Sequence, residues 1–381
     1  MKLIHMADLH IGKTVNGFSM LEDQVFIFGG IIEYMEKNRP DVAIISGDIY
    51  DKPAPGADAV KVFDHLLTSL ADMEIAVFII SGNHDSPERL GFAGDILQNR
   101  NIYLSGVFEG TPRRFVLKDS FGEVTFHLLP FIRPVNVRRF YPDARVESYQ
   151  DAIAVVLDAN EISETKRNIL ISHQLFTVEG EEAEHSESEI GSIGGIETVD
   201  AGLLSPFDYV ALGHLHGPQK VGEDYVRYAG SPLKYSASEC NHKKSMVEVE
   251  LREKGDLSVR LVPLNPRRDM RKIIGPIAEL TSPLIVSQGN REDYLHITLT
   301  DEKDIFDAIG RLREFYPNIM TLSFDNRRSR IEPDYDDVRL PETIIPYNCF
   351  AEFYESRNGA EMTPEQARIV RKLLEETREG T

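Results

Sequence analysis

Five short blocks of this sequence place oxygen and nitrogen donors directly after apolar runs. They are Asp8-Leu9-His10, Gly47-Asp48, Gly82-Asn83-His84-Asp85, Ser172-His173 and Gly213-His214-Leu215-His216. Asp8, Asp48, Asn83 and the histidines His10, His84, His173, His214 and His216 form a mixed hard and borderline donor set. Such a set suits divalent metals such as Mn2+. One block alone would be commonplace; five in succession point to a dinuclear metal site. The His-x-His spacing at 214 and 216 lets two side chains share a face at a strand end and reach adjacent metals.

The runs that precede the blocks are Lys2-Leu3-Ile4, Val42 to Ile45, Val77 to Ile80, Ile169 to Ile171 and Tyr209 to Leu212. Each is short, continuous in apolar character and bounded by turn residues, which predicts buried parallel strands. Side chains at the carboxyl ends of parallel strands gather along one sheet edge, where α/β proteins build their sites.

The order and content of the blocks resemble the calcineurin-like metallophosphoesterase superfamily over residues 1 to about 260. A closer resemblance, to the nuclease (SbcD) family of bacterial SbcCD complexes, is carried by Met6-Ala7-Asp8-Leu9-His10-Ile11-Gly12, Ser46-Gly47-Asp48-Ile49-Tyr50-Asp51 and Ser81-Gly82-Asn83-His84-Asp85. Gly213-His214-Leu215-His216 and Tyr228-Ala229-Gly230-Ser231-Pro232-Leu233 continue it. The resemblance implies two divalent ions, with Asp48 bridging them. Asp8, His10 and His216 would complete the first ion's ligands, and Asn83, His173 and His214 the second's. It implies that His84 stabilises the transition state or protonates the leaving group without binding metal. On an extended backbone, His84 would point away from its neighbour Asn83. The superfamily also places a carboxylate that orients the catalytic histidine at the position of Asp51, which could equally be a turn residue before Pro53. The remaining histidines His5, His65, His127, His242 and His296 lack a strand-end block and are expected in the core or on the surface.

At the level of activity, the resemblance implies an ATP-stimulated 3′ to 5′ double-strand exonuclease that also cuts hairpins and single strands endonucleolytically, coupled to an SbcC-type ATPase. Its expected partners are DNA ends and hairpins, the ATPase through the C-terminal segment Phe350 to Glu376, and a second copy of the chain. Hydrolysis of a phosphodiester needs a positive template and an activated water, both of which two metals supply. The formal net charge of −20 is unusual for a chain that holds a polyanion. Bound cations lie outside that sum. Basic clusters stand at Arg113-Arg114, at Arg133 with Arg138, Arg139 and Arg145, at Arg267-Arg268 with Arg271-Lys272, and at Arg327-Arg328 with Arg330.

Composition is that of a globular protein, 41% apolar and 27% charged. No stretch approaches the ~20 apolar residues of a membrane span. The first strand and ligand block begin at the N-terminus and leave no room for a cleavable signal. Two cysteines, Cys240 and Cys349, cannot form a disulfide framework. The expectation is a cytoplasmic protein.

The organisation read from pattern is an α/β (α+β) fold in three parts. Residues 1–265 form a layered-sheet nuclease domain, 266–340 a small β-α-β capping domain, and 341–381 a helical partner-binding tail. Helices are predicted over Asp58 to Met73 and Pro87 to Asn99, and a hairpin over Val116 to Pro130 split at Phe121-Gly122. The first two elements, by resemblance, would meet a second copy. Glu179 to Glu189 is acidic and aperiodic, a solvated loop, and His185 within it is not taken as a ligand. In the capping part, strands are predicted at Lys272 to Ile274, Tyr294 to Leu299 and Ile319 to Phe324. A helix over Asp304 to Phe315 would carry Ile305, Phe306, Ile309 and Leu312 on one face. Asp325 to Pro346 reads as a linker. Helices follow at Cys349 to Ser356 and Pro364 to Glu376, the second opened by Thr363-Pro364-Glu365-Gln366. Ile369, Val370, Leu373 and Leu374 form its apolar stripe.

Three other functions compete. Phosphoprotein phosphatases read Gly-Asp-x-x-Asp-Arg-Gly and Gly-Asn-His-Glu, against Asp51-Lys52-Pro53 and a terminal Asp85 here. A noncatalytic scaffold has no chemical need for intact ligand blocks. A small-molecule phosphodiesterase shares the motifs and differs in needing no additional residues beyond Pro266.

Overall fold

The computed structural model describes residues 1–160, 162–163, 165–178, 184, 186–189, 197–326, 346–358 and 360–379. The chain divides into two compact units, Met1–Met270 and Arg271–Thr381.

The first unit is built on two six-stranded sheets. One runs in the order Leu257–Pro263, Ser245–Leu251, Lys2–Met6, Val42–Ser46, Ala76–Ile80, Ile102–Ser105. Its last four strands are parallel. The other runs Gln219–Val221, Glu223–Tyr228, Tyr209–Leu212, Arg167–Ser172, Gly122–Leu129, Arg113–Asp119, with four parallel strands in the middle. Alternate residues of these strands pack between the sheets, among them Val42, Ile44, Phe78, Phe126, Ile169 and Ala211. Phe78 and Phe126 stack across the gap with ring centres 4.1 Å apart. The other faces take helices. Ala57–Asp72 lies on Ala76–Ile80, with Leu21–Asn38 beside it. Tyr149–Asp158 covers the second sheet through Ile153 and Val156 against Leu170 and Val210. Strands covered on both faces explain the unbroken apolar runs in the sequence.

This arrangement corrects the expectation of a single sheet edge. Three ligand blocks leave the first sheet and two leave the second, so the site forms where two edges converge. Main-chain and side-chain bonds tie the sheets together there: Ser46 Oγ donates to Ala211 O at 3.2 Å, and His5 Nδ1 meets Tyr209 OH at 2.9 Å.

The helix at Ala57–Asp72 and the hairpin Arg113–Asp119/Gly122–Leu129 lie where pattern placed them. Pro87 to Asn99 does not form one helix. It breaks into Pro87–Leu90 and Gly94–Gln98, because Ala93 adopts a left-handed φ of 61° between two glycines.

The second unit has a three-stranded sheet in the order Met270–Gly275, Tyr294–Leu299, Ile319–Phe324. Two short helices missed by sequence reading, Ile277–Leu280 and Pro283–Val286, close its core with Leu295, Ile297 and Leu312. The helix expected from Asp304 begins only at Ala308, where the Asp307 side chain accepts the Gly310 N–H at 3.1 Å and caps it. Phe306 therefore falls outside the helix and is 94% exposed. Helices Pro346–Asn358 and Pro364–Glu379 pair with each other, Arg371 sitting 4.4 Å over the Tyr347 ring. Thr363 and Gln366 form a reciprocal capping box at 3.3 and 2.9 Å. Of the apolar stripe, Ile369 and Leu373 are exposed and Val370 and Leu374 half-buried. The linker over 327–345, its arginines Arg327, Arg328 and Arg330, most of the acidic loop and His185 lie outside the described residues.

Candidate metal centre

Sharp turns at the strand ends aim the donors at one another. Asp8, His10, Asp48 and His214 all have positive φ (52°, 44°, 49° and 101°), a conformation rare for residues with a Cβ. Local strain of this kind persists only where its surroundings enforce it. The glycines ahead of the ligands permit close approach. A Cβ on Gly82 would lie 2.1 Å from Asp48 Oδ1, and one on Gly213 would lie 2.0 Å from Ser46 O.

Asp48 sits between two groups of donors. On one side, its Oδ2 is 3.6 Å from His10 Nε2 and 3.9 Å from His84 Nε2, while His10 Nε2 and His216 Nε2 are 3.0 Å apart. On the other, Oδ2 is 3.4 Å from His173 Nε2, which is itself 3.1 Å from Asn83 Oδ1. His214 Nδ1 approaches the same Asn83 oxygen at 3.3 Å. Asp8 lies 3.9 Å from His173 Nε2 and accepts the His214 N–H through both oxygens at 3.0 and 3.2 Å. Three compact donor groups result: Asp8, His10 and His216; His10, Asp48 and His84; Asp8, Asp48 and His173. All seven residues read as ligands from the sequence meet here, with His84 beside them.

The chemistry of the donors fits cations. His173 Nδ1 donates to Ser46 O at 2.6 Å, and His216 Nδ1 donates to Ser188 Oγ at 2.7 Å. Each imidazole thereby turns a lone pair inward, toward oxygens and nitrogens that can only repel it unless a positive charge lies between. The protein's own protons respond to that field. Burial alone would lower the His173 pKa, but the Asp48 and Asp8 carboxylates override it and raise it to about 9. Burial pushes the Asp8 carboxyl up to about 7. Burial acts in the same direction on Asp48, yet His173 and His10 outweigh it and hold that carboxyl well below the usual range. The residues would hold divalent ions at the positions where this structure concentrates negative charge.

Comparison with known proteins places the chain. A family model for calcineurin-like phosphoesterases matches residues 1–218, and one for the type 5 capsule protein repressor C-terminal domain matches 266–358. A Staphylococcus epidermidis protein, named as the D subunit of the nuclease SbcCD, is 33% identical over 98% of both chains. Its Staphylococcus saprophyticus namesake is 32% identical over the same shares. The chain belongs to the SbcD family of calcineurin-like phosphoesterases. Solved structures resemble it more loosely, as with a zebrafish (Danio rerio) dimetal phosphatase of TM-score 0.43 and 13% identity, covering 69% of this chain and 96% of that one.

In this SbcD-family chain, His84 lies on the His10 side of Asp48, its ring centre 4.8 Å from that of His10. Its main-chain N–H donates to Asp48 Oδ1 at 2.9 Å. Its Nδ1 donates to the main-chain oxygen of Asp51 at 3.1 Å. The Asp51 carboxylate is turned to Lys13 Nζ at 2.8 Å, so Asp51 meets His84 through its backbone. Sequence reading missed the residues that back the site. Asp85 accepts the N–H groups of Ile49, Tyr50 and Gly82 at 2.9–3.1 Å, fixing the turns that carry Asp48 and Asn83. Fully buried Glu239 receives Ser188 Oγ at 2.5 Å and Lys244 Nζ at 2.6 Å. Burial would raise the Glu239 pKa, but His216 and Lys244 hold it well below the ordinary carboxylate range. Glu189 accepts the His216 N–H at 2.7 Å. The described end of the acidic segment is thus anchored to a metal-side histidine, correcting its reading as a solvated loop. His5, His127 and His296 are buried and hydrogen-bonded, and His65 is exposed.

Proposed function

We propose that this chain is the metal-dependent nuclease subunit of a complex with an SbcC-type ATPase, hydrolysing DNA phosphodiesters at a pair of divalent ions. The observation that supports it best is the position of Asp48 between two donor groups, within a chain aligned end to end with proteins named for the SbcCD nuclease. Asp8, His10, Asp48 and His216 would hold one ion, and Asn83, His173 and His214, again with Asp48, would hold the other. The mixed donor set suits Mn2+. When bound, the ions activate a water and neutralise phosphate oxygens.

The protein's own groups do the rest. Asp51 O can only accept, so the neutral His84 ring carries its proton on Nδ1 and presents a bare Nε2. As an imidazolium it donates from Nε2 to a phosphoryl oxygen or to the departing 3′ oxygen, where charge develops. The Ser46 carbonyl and the Ser188–Glu239 relay keep His173 and His216 in the tautomers that face inward.

On this reading the activities are ATP-stimulated 3′ to 5′ double-strand exonuclease and hairpin and single-strand endonuclease. The C-terminal helices engage the ATPase, the chain works as a homodimer, and the location is cytoplasmic; no described helix is long and apolar enough to cross a membrane. The domain division follows as 1–265, 266–340 and 341–381. The test is digestion of linear duplex and hairpin DNA beside bis-p-nitrophenyl phosphate, with Mn2+ and with chelator. Metal-dependent cleavage of DNA is expected. Hydrolysis of the small diester with DNA untouched would favour the small-molecule phosphodiesterase instead.

A further inference from the structure

His10 is aimed by different means from His173 and His216. Those two are each fixed by a hydrogen bond from the ring nitrogen that faces away from the centre. The corresponding nitrogen of His10, Nδ1, is buried and makes no hydrogen bond among the described residues. Asp51 Oδ1 lies 3.9 Å from it, beyond hydrogen-bond range, and is engaged by Lys13 Nζ at 2.8 Å. The direction of the His10 ring therefore comes from the backbone that carries it, which is left-handed at both Asp8 and His10. Such a turn has to be held by its surroundings. Gln24, on helix Leu21–Asn38, is fully buried and directs its whole carboxamide at this turn. Its Oε1 accepts the Gly12 N–H at 2.9 Å. Its Nε2 donates to His10 O at 2.8 Å and to Tyr235 OH at 2.9 Å, with Leu9 O at 3.3 Å. The Tyr235 hydroxyl in turn donates to Leu9 O at 2.7 Å. The Gly12 N–H can only donate and His10 O can only accept, so the amide has one orientation. The buried Tyr235 ring meets His10 edge-on with centres 5.7 Å apart and stands 5.9 Å from His216. Asp23, the buried neighbour of Gln24, pairs with Arg268 at 2.9 Å and anchors the first turn of the helix.

We propose that Gln24 and Tyr235 are positioning residues of the metal centre. Together they set the direction of His10 and so the affinity for the ion it shares with Asp8 and His216, without acting on the ion at Asn83, His173 and His214. The inference rests on the two-ion reading above and adds to it two residues that are not ligands. A helix that only packed on the sheet would place an aliphatic side chain at position 24, since a buried carboxamide is costly unless its polar atoms are bonded. Here every side-chain bond of Gln24 falls on the segment Leu9 to Gly12 or on Tyr235, whose ring walls both histidines of that ion. The usual orienting bond to the outer nitrogen of a ligand histidine is missing at His10, and the clamp on its backbone takes over that task.

The experiment titrates the full chain with Mn2+, following the free ion by electron paramagnetic resonance, for the wild type, Gln24→Glu and Tyr235→Phe. Gln24→Glu keeps the shape and the acceptor for Gly12 but puts an oxygen where both N–H donors were. It should weaken one of the two ions about 10–100-fold and leave the other within about twofold. Tyr235→Phe, which keeps the ring, should act in the same direction with a smaller effect. Ligand-deleted backgrounds identify the ion: with His173→Ala the ion that remains should be weakened by Gln24→Glu, and with His216→Ala it should not. Single-turnover cleavage by the variants should recover at saturating Mn2+, a rescue that a general folding defect would not show. Thermal unfolding checks each variant, and Gln24→Met, of similar volume and without donors, replaces Gln24→Glu should it unfold early. Equal weakening of both ions, weakening of neither, or cleavage that stays low at saturating Mn2+ would overturn the assignment while leaving the two-ion reading intact. A wild-type chain that binds fewer than two Mn2+ would overturn that reading, and the assignment with it.

Discussion

The two sides of Asp48 are built from similar donors but are held by different means. On the His173 side the orienting partner is the main-chain oxygen of Ser46, part of a central strand. On the His216 side the partners are side chains: Ser188, then Glu239, then Lys244, with Glu189 on the backbone N–H. A carbonyl in a sheet cannot be mutated away, cannot titrate and moves only with the fold. A relay of hydroxyl, carboxylate and ammonium can fail at any member, and its buried charges depend on one another. The difference makes the His173 side a fixed feature of the sheet edge and the His216 side the adjustable half of the centre.

The strongest way to break this comparison is to remove what both sides share. Asp48→Ala should lower metal content below two ions per chain and abolish most activity, measured by elemental analysis and cleavage rate; full occupancy of both ions would rule out a bridging carboxylate. His84→Ala comes next. It should keep both ions and lose roughly 10²–10⁴-fold in single-turnover cleavage, the worth of a general acid. Loss of metal instead would make His84 a ligand, as its grouping with His10 and Asp48 permits.

A third prediction exposes the fixed side through pH. In metal-free protein His173 has a raised pKa of about 9, so its stabilising proton is fully present below the unfolded value near 6.5 and is lost as pH climbs through 9. Stability of the metal-free chain should therefore decline between pH 7 and 9, by up to about 3 kcal/mol. Saturating Mn2+ should flatten that decline, and a pH-independent Tm without metal would count against it. The adjustable side is probed by Glu239→Gln, expected to weaken metal binding about 10–100-fold, with Ser188→Ala smaller in the same direction. Equal loss from both ions on titration would erase the asymmetry. The smallest effect on the centre should come from ending the chain before Pro346. Metal content and cleavage should persist while co-purification with the ATPase is lost; loss of solubility would instead mean that the tail docks on its own chain.

Local pattern carried the ligands because local chemistry made them. Continuous apolar runs such as Val42 to Ile45 are strands whatever they pair with, and Gly-Asp or Gly-Asn after them marks a turn that only a residue without a Cβ can allow. Capping at Thr363 was legible for the same reason, since donor and acceptor lie three residues apart. Where local signals competed, pattern failed. The Asp307 cap outweighed the apolar spacing that put Phe306 on a helix, and Ala93 between glycines broke the helix expected after Pro87.

The sequence by itself determined which residues could bind metal, that they would stand at strand ends, and the family to which their order belongs. Tertiary structure alone decided which donors share an ion, because His10 meets His216 across 206 positions and two different sheets. It also decided what stands behind them. Asp85 closes on Ile49 across 36 positions, and Ser188 reaches Glu239 across 51. No periodicity encodes such pairings: they are set when two sheets, each specified by its own apolar pattern, pack face to face and bring their carboxyl edges together.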